Sequence, residues 1–342
     1  MPTMKDVAKL AQVSLGTVSN VLNNKASVLP ENRQRVLAAV EALGFQANRV
    51  ARMLKTKVSN DIGLIIPDIS NPFYPELVRG VEDIANRLQF TVFLCNSDRQ
   101  TAKEHRYLDS LLSRNIDGLL IVKPQIALEE LQNISHYVDV VLVDTDILPF
   151  PGCSVINIDD HGGMKQGLAL LFAEGHTQIA FVGGRKESRS SLIRYSEYEL
   201  FLKAKGLPFF EEYVFHGDYS LSSGYEAAQV FATLENPPTA IFAANDLMAI
   251  GCMKALQELG LRVPDDISVI GYDNISMSSL CTPPLTTIRQ PNHETGLLGA
   301  EVLMRMIAKR QLLNRVPDVP DDAYVLMPTQ LVSRESVGPV KK

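Results

Sequence analysis

Tryptophan is absent from the 342 residues, aromatics make up only 7%, and the four cysteines (Cys95, Cys153, Cys252, Cys281) lie far apart with no CxxC pair. Each cysteine therefore reads as a small apolar residue in a reducing compartment, not as half of a disulfide or a metal ligand. No apolar run approaches the ~18 residues of a membrane span. The opening MPTMKDVAKLA lacks the apolar stretch of a secretion signal, so the chain is expected to be cytoplasmic. Catalytic signatures are missing as well. After the first apolar run, IGLIIPD, comes ISNPFY where a dinucleotide-binding protein would carry GxGxxG. Gly183-Gly184-Arg185 is no Walker loop, neither GxSxG nor HExxH occurs, and the six histidines are scattered. The adjacent acids Asp159 and Asp160 would point apart on a helix. No enzyme, cofactor or metal is expected.

What remains is ordinary globular material: 46% hydrophobic and 21% charged residues, enough for a large core and, by length, two or three domains. The net charge of −6 hides an asymmetry. Residues 1–57 hold nine Lys and Arg against three acids, a net of +6, while the remainder holds 24 bases against 36 acids, a net of −12. A small basic module joined to a large acidic one points to nucleic acid as a partner.

The basic module reads as three short helices. TMKDVAKLA can start at Thr3, with Asp6 completing a capping box and Val7, Leu10 and Ala11 on one face. Ser14 is a second N-cap, before LGTVSNVLN, and Pro30-Glu31 opens a third helix that ends ahead of Gly44. Two capped helices with a tight turn and a brace make a helix-turn-helix, whose second helix enters the major groove. Leu15, Gly16, Thr17 and Asn20 would then face the bases: Leu15 against a thymine methyl, Asn20 on adenine. A generic three-helix bundle with a solvated polar face fits the same pattern equally well.

From residue 62 short apolar runs alternate with amphipathic stretches of ten to twenty residues. The runs cover residues 62–68, 90–96, 117–122, 138–144, 178–184, 239–245 and 267–273. This is the pattern of βαβ units with buried parallel strands. There are too many for one sheet, so two doubly wound lobes are expected, with GCSVINIDDHGG as the crossover. Ligands of such sheets bind beyond the carboxyl ends of the strands. Polar and aromatic residues gather there: Asn71, Phe73 and Tyr74, then Asp98, Lys123 and Asp144, then Arg194, Tyr219, Asn245 and Asp273. Acceptors of paired hydrogen bonds beside aromatic faces suit a sugar or nucleoside. Helix capping explains Asn71 and Asp246 as well.

TMKDVAKLAQVSLGTVSNVLN and NRVARMLKTKVSNDIGLIIPD resemble the amino-terminal part of the lactose/galactose repressor family of transcription regulators. SNPFY, NIDDHGG, GHTQIAFVGG, ANDLMAIG, LGLRVPDDISVIGYDN and PPLTTIRQP resemble its effector-binding core, a fold shared with periplasmic sugar-binding proteins. The resemblance implies an all-α helix-turn-helix headpiece at 1–46 and a hinge helix and linker at 47–60. A periplasmic-binding-protein-like α/β core of two parallel-sheet lobes follows at 61–340, its first lobe 61–160 plus 291–322 and its second 161–290 plus 323–340. It implies that Leu54 wedges into the minor groove, flanked by Arg52 and Lys55, with Thr3, Ser14 and Asn48 as further DNA contacts. A proline common before the hinge is Ala47 here. In the core the resemblance assigns Asn71, Phe73 and Tyr74 to one lobe, Arg194, Tyr219, Asn245 and Asp273 to the other, and Gln290 to the last crossover. Where the family carries Gly-Phe after the arginine, Glu197-Tyr198 stand here. The implied protein is a repressor that binds near-palindromic operator DNA and answers to a small sugar-like effector. The chain shows no leucine-heptad tail, so a homodimer is expected over a tetramer. Lys123, Arg185 and Arg189 leave room for a phosphorylated sugar.

Overall fold

A computed structural model describes residues 2–22, 27–45, 58–312 and 323–341. The chain divides into two compact units, residues 1–59 and 60–342.

In the first unit α1 (Met4–Ala11), α2 (Leu15–Leu22) and α3 (Pro30–Leu43) pack around Val7, Val18, Val21 and Val36. The forecast caps are present. Thr3 and Asp6 form a capping box, the Ser14 hydroxyl accepts the Thr17 amide at 3.0 Å, and Gly44 closes α3 in the left-handed conformation. Arg35 of α3 reaches back to Gln12 in the turn.

The second unit holds two six-stranded sheets. The first consists of β1 (Asp61–Ile66), β2 (Thr91–Asn96), β3 (Gly118–Val122), β4 (Asp139–Val143), β5 (Cys153–Ile158) and β11 (Tyr324–Met327), in the order β11-β5-β4-β3-β1-β2, all parallel. The second consists of β6 (Ile179–Gly183), β7 (Val214–His216), β8 (Ala240–Ala243), β9 (Ser268–Asp273), β10 (Thr286–Arg289) and β12 (Gln330–Val332), in the order β12-β10-β9-β8-β6-β7. Strands β3, β4 and β6 are buried on both faces, which is why they read as unbroken apolar runs.

Three features differ from the sequence reading. The segment taken as a crossover is itself a buried strand, β5, and the chain changes lobes just after it at Asp159. The last crossover lies later than 322, because β11 pairs with β5 in the first lobe and the chain passes over only at residues 328–329. Having passed, β12 lies antiparallel to β10, so the second sheet is not wholly parallel. β12, three residues long, is too short to show a period.

Each lobe is braced by a helix pair at close range. In the first, α4 (Phe73–Arg87) crosses α11 (Asn292–Leu312), and a Cβ on Gly80 would stand 2.2 Å from the His293 carbonyl oxygen. In the second, α9 (Leu221–Ala232) crosses α10 (Asp246–Glu258), and a Cβ on Gly224 would stand 2.0 Å from the Met248 carbonyl. Backbone cannot yield as a side chain can. Gly80→Ala should therefore destabilise the core by at least ~1–3 kcal/mol, read as a lower urea midpoint. An unchanged midpoint would show that the helices separate freely.

Candidate functional site

In both sheets the strand order reverses beside one central strand, β1 in the first and β6 in the second. Crevices form at such points beyond the carboxyl ends of the strands, and there the two lobes share one cavity. Of the eleven core residues that the sequence places at the crevice, ten line it. From the first lobe come Asn71, Phe73, Tyr74, Lys123 and Asp144; from the second Arg194, Tyr219, Asn245 and Asp273; Gln290 sits in a crossover.

Local backbone geometry aims these side chains. Lys123 and Asp144 directly follow β3 and β4, and Asp273 ends β9; all three have positive φ (54°, 56° and 123°), as does Tyr219 at 73°. A non-glycine residue in this region costs of order 1–3 kcal/mol and persists only where its surroundings hold it. Gly184 leaves the room that the Tyr219 ring fills: a Cβ there would stand 2.0 Å from the ring.

Several lining groups already have partners. Asn71 accepts the Phe73 amide at 3.0 Å, and Asn245 caps α10 by accepting from Met248 while donating to the Tyr219 carbonyl. The capping role foreseen for Asp246 thus falls to Asn245. Asp246 instead lies fully buried, accepting from Thr287 and from the Ile275 amide. Arg194 donates to Asp160 at 2.8 Å and stacks on Tyr272, its guanidinium carbon 3.6 Å from the ring centre. The Glu197-Tyr198 pair leaves that helix, α8 (Arg189–Lys205), in place. Glu197 turns to His161 and Lys165, and buried Tyr198 stacks on Phe181.

The electrostatics are dominated by burial. Burial pushes the Asp273 carboxyl up to about 7, against the opposing influence of Arg194 and of the Gln290 amide that donates to it. Burial also works against the charged forms of Lys123 and Asp144. Their mutual pairing at 2.9 Å outweighs it, lowering the acid and raising the base. Lys123 donates in addition to Ser190 Oγ across the cleft, while Arg189 reaches Asp144 at 3.3 Å and Asp146 at 2.7 Å. The cavity retains about 20 Å³, room for about one water. A sugar ring enters only as side chains or lobes move apart.

Asp98 is the exception among the core residues. It is exposed, accepts from Asn96 and pairs with Lys103, because its turn directs it away from the cavity. Its neighbour Arg99 lines the cavity instead, as does Ser190. Lys123 is legible as a polar residue closing an apolar run; nothing in the sequence marks Arg99 or Ser190.

In the first unit Leu15 is 46% exposed at the start of α2, with Gly16 also exposed and Thr17 and Asn20 half-buried. Thr3 and Ser14 are exposed, but their hydroxyls serve as helix caps. Asn48, Arg52, Leu54 and Lys55 lie outside the described residues. Among the described residues no helix is long and apolar enough to cross a membrane.

Outside the cavity lining one acid stands apart. Glu104, on α5 (Thr101–Ser113), is buried; one carboxylate oxygen accepts the Gln125 amide at 2.9 Å and the other has no hydrogen-bond partner among the described residues. Burial pushes its carboxyl up to about 7, with the Gln125 amide opposing. A folded-state pKa above the unfolded one gives stability that is full below about pH 4.5 and lost as pH rises through 7. Glu104→Gln should therefore raise stability at about pH 8, by up to ~3 kcal/mol, and change little at about pH 5. Parallel pH–stability curves for the two proteins would show that burial does not govern this group.

A two-lobed core that encloses a polar cavity, joined to a basic helix-turn-helix, defines a ligand-binding transcription regulator. The comparisons give that class its family. Residues 3–48 match the model for bacterial regulatory proteins of the lacI family, and residues 168–337 match that for a periplasmic binding protein-like domain. The chain is 34% identical to catabolite control protein A of Priestia megaterium, over 98% of each chain. It is 37% identical to the ribose operon repressor of Escherichia coli K12, over 91% of this chain and 95% of that one. Among solved structures, the lac repressor dimer bound to operator and an anti-inducer superposes with a TM-score of 0.85 at 30% identity, covering 98% of this chain and 99% of that one. The chain belongs to the lacI family of bacterial regulatory proteins: it is a ligand-controlled transcriptional repressor and not an enzyme.

Proposed function

We propose that this repressor acts in the cytoplasm as a homodimer on near-palindromic operator DNA, and that a sugar or sugar derivative held between the lobes of each core controls it. The observation that carries the effector site is the convergence on one cavity of ten residues drawn from both lobes and a crossover. Asp273 and Asn245 take ring hydroxyls, Asn71, Asp144, Arg194 and Gln290 complete the polar wall, and Phe73, Tyr74 and Tyr219 offer ring faces. The lac repressor structure, a dimer on its operator, supports the same assembly here. On DNA, α2 places Leu15, Gly16, Thr17 and Asn20 in the major groove, and the hinge places Leu54 in the minor groove between the two half-sites. The test is a gel shift with the full chain and with residues 58–342, combined with a thermal-shift screen of sugars. Operator binding by the shorter chain, or a screen whose hits leave operator binding unchanged, would overturn the reading.

A further inference from the structure

We propose that the effector is a hydroxylated anion, a sugar acid or a sugar phosphate, whose charged group is taken by Lys123 and Arg99 on the first lobe's side of the cleft. This rests on the reading that the cleft is the effector site. Charge in the cleft is out of balance. Lys123, Arg189, Arg194 and Arg99 meet three buried carboxylates, Asp144, Asp160 and Asp273. Of the further acids nearby, Asp146 is 80% exposed at the rim and Glu187 is exposed on the adjoining groove, where water already solvates both. Asp160 is taken up by Arg194. Asp144 is shared between Lys123 and Arg189, so two cations lean on one carboxylate. Asp273, at about 7, is only partly ionised near neutral pH and adds less than a full negative charge.

Arg99 is left over. Among the described residues it has no hydrogen bond or ion pair, although it is half-buried and lines the cavity. Its turn is built with two successive left-handed residues, Asp98 at φ 50° and Arg99 at φ 57°, neither of them glycine. That conformation sends Asp98 out to Lys103 and Arg99 into the cleft. A strained turn that places an unmatched guanidinium in a binding cavity is functional geometry. Lys123 is the second mark. Burying an ammonium costs several kcal/mol even when paired, a poor investment for a site that receives only neutral hydroxyls. Both cations line the same cavity as Tyr74. A larger groove of about 940 Å³ adjoins it, sharing Arg99, Lys123 and Asp144, and gives a phosphate or carboxylate arm room to extend.

The test is isothermal titration of the full chain with two matched series: ribose, ribonate and ribose 5-phosphate; glucose, gluconate and glucose 6-phosphate. In at least one series the anion is expected to bind about tenfold or more tightly than its neutral parent, with the advantage shrinking as salt is raised. The carboxylate and phosphate members distinguish the two sources of charge. Arg99→Gln should reduce the anion-to-neutral ratio, and Lys123→Gln, which also strips buried Asp144 of a partner, should reduce that ratio on top of any loss common to both ligands. Arg99→Gln breaks no hydrogen bond or ion pair among the described residues, and an unchanged thermal midpoint would exclude a folding defect as the cause. If no anion binds more tightly than its parent, or if the ratio survives both substitutions, the proposal is wrong. If ligands bind but Asp273→Ala changes the affinity of none, the cleft itself is not the effector site, and the underlying reading fails instead.

Discussion

Raising salt from about 50 to about 200 mM should weaken operator binding on the order of a thousandfold. Each basic residue that neutralises a phosphate releases condensed counterions, and six to ten such contacts per dimer give a loss of roughly 10³–10⁵ over that range. The source is the amino-terminal unit, with its net charge of +6; the core carries −12 and can only repel the duplex. One headpiece offers few contacts, so two are needed on a near-palindrome. Fluorescence anisotropy with a labelled operator measures the slope. A flat response would mean that charge neutralisation does not hold the protein on DNA.

Asp273→Ala should lower effector affinity a hundredfold or more while operator binding without effector is retained. The carboxylate is buried at the end of β9, with one oxygen engaged by Gln290 and the group facing the cavity. Charge-assisted bonds from two ring hydroxyls are worth about 1.5–3 kcal/mol each. The pKa of about 7 adds a second signature. The ionised form is the acceptor, so affinity should be full above about pH 7 and fall as pH drops below it, and the alanine variant should lose that dependence. Titration at several pH values checks both parts. An unchanged affinity with an unchanged pH profile would remove Asp273 from the site.

Much of this site is legible because α/β architecture writes it into the chain. A strand buried on both faces must be apolar throughout, so the first polar residue after it marks the strand's end and the crevice together. Lys123, Asp144 and Asp273 are read in this way. The rest depends on backbone hand, which residue order does not disclose. Asp98 and Arg99 are neighbours in one polar turn, and only their left-handed conformation decides that the arginine faces inward. Ser190 looks like any residue in the first turn of a helix. Likewise β5 reads as a connection because its strand pattern runs straight into polar Asp159-Asp160, and β12 is too short to show a period.

The three crossovers have a mechanical consequence. They are one or two residues long, and two of them are laced together: the Asp159 amide donates to the Met327 carbonyl, and the Thr329 hydroxyl to the Asp159 carbonyl. Three short straps along one edge leave two stiff bodies a single easy rotation and resist sliding or twisting. Gln290, in the third strap, holds Asp273 and so grips the ligand site beside the pivot. Lys123 and Ser190, joined across the gap, and Arg189 with Asp144 work from opposite lobes. The cleft is thus a lever: a group seated near its axis sets an angle, and that angle becomes a much larger displacement at the far ends of both lobes.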